Sequence, residues 1–328
     1  MKVRAAFRLT WLPRRAPRLA RTTLGIGLLV AVAAAVPPRA PAQQVADTTF
    51  RPAPSAPAYA PGTGPRVGID EAHHNFHTIT GRYLPFAELL RRDGYRVGAF
   101  GSPFTAEALR SVDVLVVANA LAARNETVWT LPTPSAFTPE EIAAVRAWVV
   151  GGGSLLLIAD HMPFAGAAAD LAAAFGIRWA NGFALDGESQ EPMAFRRADG
   201  TLARHPVREG RFPQERIDSV YSFVGSALRM PPGGRPVLIL RSGVVSLFPR
   251  QAWLFSGATP RRSAAGWLQG GTLEVGRGRV AAFGEAAMFS AQTADGRPMG
   301  MNHPLAGSKR WISGSGMPFP RRCLPIFR

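Results

Sequence analysis

The sequence predicts an α/β fold in which helices cover both faces of a doubly wound, mostly parallel sheet. Apolar stretches of strand length alternate with segments of helical period from residue 66 onward. The stretches at 113–118 and 154–159 are apolar throughout, as expected of parallel strands that are buried on both faces. This alternation indicates parallel strands joined by helical crossovers.

The individual elements follow from local patterns. The first helix has apolar residues at helical spacing (Leu84, Ala87, Leu89 and Leu90) and ends at Gly94. Strands are predicted at 67–69, 95–100, 113–118, 154–159, 236–240, 252–255, 272–275 and 279–283. Helices are predicted at 83–92, 105–110, 138–150, 165–175 and 286–292.

Two boundaries carry specific signals. Thr138 is a predicted N-cap, Pro139 occupies the first helical position and Glu141 completes a capping box. The segment 276–278, Gly-Arg-Gly, predicts a hairpin turn between the last two strands. These signals fix where one helix begins and where two strands are antiparallel.

The chain divides into four regions. Residues 1–42 contain a basic leader, an apolar run from Leu24 to Val36 and a small-residue cleavage pattern, which predicts a signal peptide; an uncleaved anchor is the alternative. Residues 43–65 are rich in Pro and Ala and predict a flexible spacer. Residues 66–306 form one α/β domain with a loop-rich insertion at 181–235. The irregular tail at 307–328 has no helical period, and we interpret it as a possible frame shift.

The net charge of +16 is concentrated at the two ends of the chain. Residues 1–42 carry eight basic residues and residues 307–328 carry five, with no acid in either, so 16 − 8 − 5 leaves +3 for residues 43–306. A body this close to neutral gives no electrostatic reason to expect a nucleic-acid partner. The expected location is periplasmic or extracellular, with no stable membrane span after cleavage of the signal peptide.

Ionisable residues follow three of the predicted strands. Asp70 closes the first strand, Asp160 and His161 follow the fourth, and Glu285 follows the last. Because ligands of open α/β sheets bind beyond the carboxyl ends of the strands, we expect these side chains to share one crevice. Residues 70–77 add further candidates, and of the adjacent His73 and His74 we expect His74 to point inward.

Three interpretations fit such a cluster: a metal site, an acid–base site and an inert polar network. Imidazole and carboxylate groups bind zinc and similar divalent ions, and the predicted ligands are Asp70, His74 and His77. The same residue types serve as general acids and bases without a metal, and the predicted catalytic residues are Asp160, Glu285 and His161. The third possibility is a polar network whose histidines are inert. Ligand binding is assigned to Asn75, Asn119, Asn302 and His303.

Three segments carry a family resemblance: 68–75 (Gly-Ile-Asp-Glu-Ala-His-His-Asn), 148–161 with its Gly-Gly-Gly strand block, and 278–285 together with 301–304. The chain resembles exported bacterial proteins of the class I glutamine amidotransferase-like superfamily, near the trehalose-utilisation (ThuA-like) group. The resemblance covers about residues 66–306. It implies a flavodoxin-like fold.

One departure from the superfamily limits the reaction. Amidotransferases of this superfamily place a Cys nucleophile at a sharp turn after a strand, where this chain has Ala159-Asp160-His161-Met162. The single cysteine, Cys323, lies in the tail, so thiol-based amidotransfer is not expected. Two functions remain open: a metal-assisted or acid–base hydrolase acting on a small or carbohydrate-type substrate, and a non-catalytic module that binds such a ligand.

Overall fold

The computed structural model of the chain describes residues 44–303, except 55, 188–191 and 295. Its centre is a nine-stranded sheet. In chain order the strands are β1 (Arg66–Asp70), β2 (Arg96–Phe100), β3 (Val114–Ala118), β4 (Ser154–Ile158), β5 (Arg178–Trp179), β6 (Leu228–Arg229), β7 (Arg235–Ile239), β8 (Leu268–Val275) and β9 (Gly278–Phe283). Strands β2-β1-β3-β4-β9 are neighbours in this order and run parallel. This is the 2-1-3-4-5 order of a flavodoxin-like sheet, and it confirms the predicted fold class.

The helices pack against this sheet. They are α1 (Leu84–Arg92), α2 (Pro139–Val150), α3 (Phe164–Ala167), α4 (Ala169–Ala173) and α5 (Pro206–Glu209). Short 3-10 turns lie at Ala108–Ser111, Ala123–Asn125, Pro213–Glu215 and Ala287–Phe289. Within the described residues, none of the helices has both the length and the apolar character needed to cross a membrane.

The apolar strands are explained by two cores, one on each face of the sheet. In β3, Val114 and Val116 belong to one core, whereas Leu115 and Val117 belong to the other. All five residues of β3 and all five of β4 are buried. A strand covered on both faces needs no polar alternation, which is why the polar residues stand out at the strand ends.

The capping box of α2 forms as predicted. The Thr138 hydroxyl accepts the Glu141 N–H, and the Glu141 carboxylate accepts the Thr138 N–H. The hairpin at 276–278 also forms, since Val275 pairs with Gly278 in antiparallel β8 and β9. Local sequence signals are therefore reliable where backbone hydrogen bonds of one turn decide the geometry.

The N-cap gives a testable effect on stability. Thr138→Ala removes the hydroxyl acceptor for the Glu141 N–H and is expected to lower the free energy of unfolding by about 1 kcal/mol. Urea denaturation of the full chain measures it, with the exposed Thr127→Ala as a hydroxyl-loss control outside a helix cap. Equal effects of the two substitutions would contradict the capping role.

Four predicted elements differ from the structure. The helix predicted at 165–175 is divided into α3 and α4, and the helices predicted at 105–110 and 286–292 are each only one 3-10 turn. The strand predicted at 252–255 is a turn, in which Trp253 has a positive φ of 67°. Alternating apolar residues in this turn pack into an aromatic cluster instead of pairing with a strand.

The insertion at 181–235 contains more regular structure than its sequence indicates. Phe183–Asp186 joins Val244–Leu247 and Arg261–Ser263 in a small antiparallel sheet. Met193–Arg196 pairs with Ser219–Ser222 as a separate ribbon. The insertion also supplies β6, which pairs with β5 at the antiparallel end of the central sheet. It therefore lies against the domain along much of its length.

The segment predicted as a flexible spacer is tied down in its described part. Val45–Ala46 pairs antiparallel with Gln292–Ala294, and the Ala58 N–H donates to the buried Asp93 carboxylate. This departs from the expectation for residues 43–65, because composition does not reveal that an unpaired strand edge at 292–294 accepts another strand. The predicted signal peptide and the tail from residue 307 lie outside the described residues.

Candidate active site

Two carboxylic acids meet at the carboxyl ends of adjacent parallel strands. Ile158 of β4 pairs with Phe283 of β9, and Asp160 and Glu285 each follow two residues later. Equal offsets from paired residues place both side chains at the same level of the sheet edge. The structure thus brings together two of the three predicted acidic strand ends.

Glu285 is almost completely buried, with 1% of its surface exposed, and its carboxylate is surrounded by donors. One oxygen accepts the Ser222 hydroxyl at 2.7 Å and the N–H groups of Phe223 and Val224 at 2.8 and 2.9 Å. The other accepts the Ala287 N–H at 2.9 Å. Burial raises the pKa of Glu285 to about 7 although these four donors oppose the rise.

Asp160 differs from Glu285 because part of it still reaches solvent. Its carboxylate accepts the N–H groups of His161 and Ala286 and bonds to the Asn119 side chain. Burial of the carboxyl group raises the pKa of Asp160 well above its ordinary value, and the negative charge of Glu285 raises it further. Since Glu285 has the stronger set of donors, the anion is better stabilised there and Asp160 keeps the proton.

Strained backbone surrounds this pair. In the described part of the chain, three non-glycine residues have positive φ: His74 at 46°, Asn119 at 49° and Trp253 at 67°. The Asn119 side-chain oxygen accepts the Asp160 N–H at 2.9 Å, and Trp253 packs on the ring of His161. Such conformations cost about 1–3 kcal/mol each and concentrate at functional sites.

His161 lies in an aromatic enclosure beside Asp160. Its ring stacks on Phe183 at 4.3 Å and meets Trp253 edge-on at 4.6 Å, with Trp129 at 6.1 Å. Its Nδ1 lies 2.7 Å from the Met162 carbonyl oxygen, which accepts only, so Nδ1 carries the proton. Burial lowers the pKa of His161 to about 4, so the ring is neutral and Nε2 holds a free lone pair.

Tyr83 and His77 extend the site toward the loop after β1. The Tyr83 phenol is fully buried, and its pKa is raised first by burial and then by the charges of Asp160 and Glu285. His77 stacks on the Tyr83 ring with centroids 4.7 Å apart and planes 14° apart. The predicted residue His77 is therefore near the acid pair, one side chain removed.

The predicted orientation of the adjacent histidines is wrong. His73 is buried and bridges two carboxylates, with Nδ1 2.9 Å from Asp70 and Nε2 3.0 Å from Glu141. His74 is 43% exposed at its side chain and pairs with Glu126. His73 is held inward by its bonds to Asp70 and Glu141, and the left-handed backbone at His74 shows that this segment is not the extended chain that the prediction assumed.

The predicted metal ligands do not share a site. Asp70 binds His73 and Asn75, His74 pairs with Glu126, and His77 lies on Tyr83. Across residues 44–303 with the gaps given above, no three His, Cys, Asp or Glu side chains are grouped so as to hold an ion. Strand β3 separates Asp70 from Asp160, a spacing of roughly 10 Å across two strand intervals.

The predicted ligand-binding residues are divided among four environments. Asn119 contacts Asp160 directly, whereas Asn75 donates to Asp70 and to the Ala118 carbonyl oxygen. Asn302 donates to Asp47 and to the Gln292 carbonyl oxygen, so it fastens the N-terminal segment. The His303 ring lies 5.8 Å from Phe223, beside the loop that binds Glu285.

Sequence reasoning missed the residues that complete the site from a distance. Ser222 and Val224 come from the insertion, and no local motif marks them. Tyr83 lies just before α1, where its pattern signals only a helix. No sequence motif marks Trp129 or Trp253 as part of a site. Residue type alone does not do so, because aromatic residues more often belong to the core.

Comparisons with known proteins address the fold. No protein-family model and no curated protein sequence matches the chain. Solved structures with a similar fold include the N-terminal domain of mmIFT52, with a TM-score of 0.49, 14% identity, and coverage of 68% of this chain and 88% of that domain. A cytoplasmic protein from Salmonella typhimurium has a TM-score of 0.42, 14% identity and coverage of 76% and 93%. A ThuA-like protein from Bacteroides uniformis has a TM-score of 0.40, 13% identity and coverage of 79% and 89%.

Proposed function

We propose that the chain is a hydrolase that works by acid–base catalysis, with Asp160 as the general acid. The observation that carries this proposal is the asymmetry of the pair. Asp160 reaches solvent and retains its proton, while Glu285 lies behind it, buried and saturated with donors. Two carboxyl groups in environments this different are the usual arrangement for keeping one acid protonated near neutral pH.

The proposed reaction divides the work among three side chains. Protonated Asp160 donates its proton to the leaving group, and the charge of Glu285 keeps the pKa of Asp160 high enough for that role. The neutral His161 accepts a proton from the attacking water at Nε2, because Nδ1 is engaged with the Met162 carbonyl. The proton that His161 takes from water then returns to Asp160, so that in sum water supplies the hydroxyl of one product and the proton of the other. Since the predicted metal ligands do not meet, no step runs through a metal.

The substrate class follows from the walls of the site. Trp129, Trp253 and Phe76 are only partly buried, and all three are in aromatic contact around His161 or its neighbours. Partly exposed aromatic faces beside a few polar groups suit a small molecule with a flat apolar face, such as a sugar ring. The leader at 1–42 supports export, which would place this substrate outside the cytoplasm.

A non-catalytic binding module is the second candidate. One observation favours it. The Glu285 carboxylate already accepts hydrogen bonds from four donors, which suits a structural role in which the acid pair holds the ends of β4 and β9 together and takes no part in catalysis. The two functions differ in whether Asp160 gives up its proton during a turnover. Kinetics as a function of pH separates them.

The hydrolase proposal is tested by incubating the full chain with a panel of nitrophenyl glycosides and nitrophenyl esters. We expect turnover of at least one panel member, with a rate that falls at low pH as His161 becomes protonated below about 4. We expect Glu285→Gln to move the alkaline limb of the profile to lower pH, since the charge that raises the pKa of Asp160 is removed. Saturable binding of sugars without turnover of any panel member would instead support the binding module.

A further inference from the structure

Two buried nitrogen atoms beside the acid pair have no hydrogen-bond partner within the described residues. They are Nδ1 of His77, whose residue is 3% exposed, and Nε of Arg82. An unsatisfied buried donor costs about 1–3 kcal/mol, so such atoms are retained where a ligand or water completes them. The acid–base mechanism uses neither residue.

The side chains of His77 and Arg82 lie side by side against the ring of Phe76. The guanidinium carbon of Arg82 lies 4.5 Å above the centre of the Phe76 ring, and His77 meets the same ring edge-on at 5.3 Å. Phe76 is 37% exposed, so its ring forms the outer boundary of the pair. Burial and then the charge of Arg82 lower the pKa of His77 to about 3, which keeps that imidazole neutral.

The groups facing this place set its charge. From the loop after β1, Arg82 contributes a cation, and one of its terminal nitrogens is used on the Gln44 carbonyl oxygen at 3.0 Å. From the other side, Tyr83 separates His77 from Asp160 and Glu285. In its Nδ1–H tautomer, the neutral imidazole joins the guanidinium in presenting two donors and a positive charge to one acceptor group.

We infer that His77 and Arg82 form a subsite for a carboxylate, which means that the substrate of the proposed hydrolase is an organic acid. One carboxylate oxygen accepts from Arg82 Nε and the other from His77 Nδ1, a charge-assisted arrangement that satisfies both orphaned atoms. The Phe76 ring beside the subsite contacts Trp129, which in turn lies beside His161, so a substrate whose carboxylate is bound here extends along these aromatic faces toward Asp160. This assignment of substrate class rests on the proposed function.

The test uses acetate as the probe and acetamide as its neutral counterpart of the same shape. The full chain is labelled with 15N, and the Arg82 Nε–Hε and His77 ring signals are followed by NMR at constant ionic strength. We expect acetate to shift both signals saturably with a millimolar dissociation constant, and acetamide to shift neither. Arg82→Gln should weaken acetate binding by about tenfold or more.

Arg92→Gln is the matched control, because Arg92 also anchors the N-terminal segment, through a 3.0 Å bond to the Pro52 carbonyl oxygen, but does not contact His77. It should bind acetate like the unaltered chain. Equal shifts with acetamide, no saturable shift with acetate, or unchanged binding in Arg82→Gln would overturn the assignment. Acetate binding needs no turnover, so a failed hydrolysis screen leaves this result standing, and a successful screen does not rescue an absent acetate site.

Discussion

Asp160→Asn is expected to stop hydrolysis and to stabilise the folded chain at alkaline pH. The amide cannot donate an acidic proton, so turnover should fall by about 10²–10⁴-fold. Asparagine nevertheless resembles the protonated carboxyl group that the folded state prefers at this position. A substitution that removes activity and adds stability marks a residue kept for its chemistry.

The sign of the stability effect follows from proton binding. Asp160 ionises near its ordinary value of 3.8 in the unfolded chain, whereas burial and Glu285 keep it protonated in the folded chain. Above that pH the folded state therefore binds more protons than the unfolded state, and stability falls as pH rises. Asparagine has no proton to take up, so the stability gained by the substitution should grow as pH rises above 3.8.

Glu285 also makes the free energy of unfolding depend on pH, both in the unaltered chain and in Asp160→Asn. Its pKa rises from 4.5 in the unfolded chain to about 7 in the folded chain, so it lowers stability between these values and has a constant effect above them. Urea denaturation of the two proteins from about pH 4 to pH 8 gives the difference curve. Asp170→Asn, on the exposed surface of α4, controls for the loss of a carboxyl group outside the site. A destabilised Asp160→Asn at high pH would contradict the protonated state assigned to Asp160.

The position of the acid pair could be predicted from the sequence because it depends only on strand direction. Asp160 and Glu285 each follow an apolar run, and parallel strands place such ends on one edge. Asp70 also follows an apolar run, yet it lies two strand intervals from Asp160, and its carboxylate is hydrogen-bonded to His73. Strand order across the sheet, which the sequence does not encode locally, decides which of three equivalent ends become neighbours.

The environment of the pair could not be predicted, because it comes from residues far away in the chain. Ser222 reaches Glu285 across 63 residues of sequence, from an insertion whose composition indicates loops. Three of the four donors, the N–H groups of Phe223, Val224 and Ala287, belong to the backbone and are independent of residue type. A pattern of side chains can locate such a site but cannot show how its charges are balanced.

His73→Ala is expected to destabilise the chain strongly, whereas His74→Ala is expected to be nearly neutral. His73 bridges Asp70 and Glu141, so its removal leaves two largely buried carboxylates without their shared partner. Breaking a buried pair from one side costs about 3–5 kcal/mol. His74 is exposed at its side chain, and its substitution should change stability by less than about 0.5 kcal/mol. Urea denaturation at neutral pH measures both, and equal losses would contradict the bridging role.

The pH dependence of that loss distinguishes a charged bridge from simple packing. Burial alone would lower the pKa of His73, but hydrogen bonds and charge from Asp70, then Glu141, outweigh it and raise the pKa. Burial likewise opposes the lowered pKa of Glu141, which the Thr138 N–H and His73 bring about. The stabilisation by His73 is therefore fully present below its ordinary pKa of 6.5 and is lost as pH rises through the raised value. That by Glu141 is present above 4.5 and is lost as pH falls through the lowered value. The gap between the unaltered chain and His73→Ala should thus be widest between these limits, and a gap independent of pH would assign His73 to packing against Phe104 and Phe137 alone.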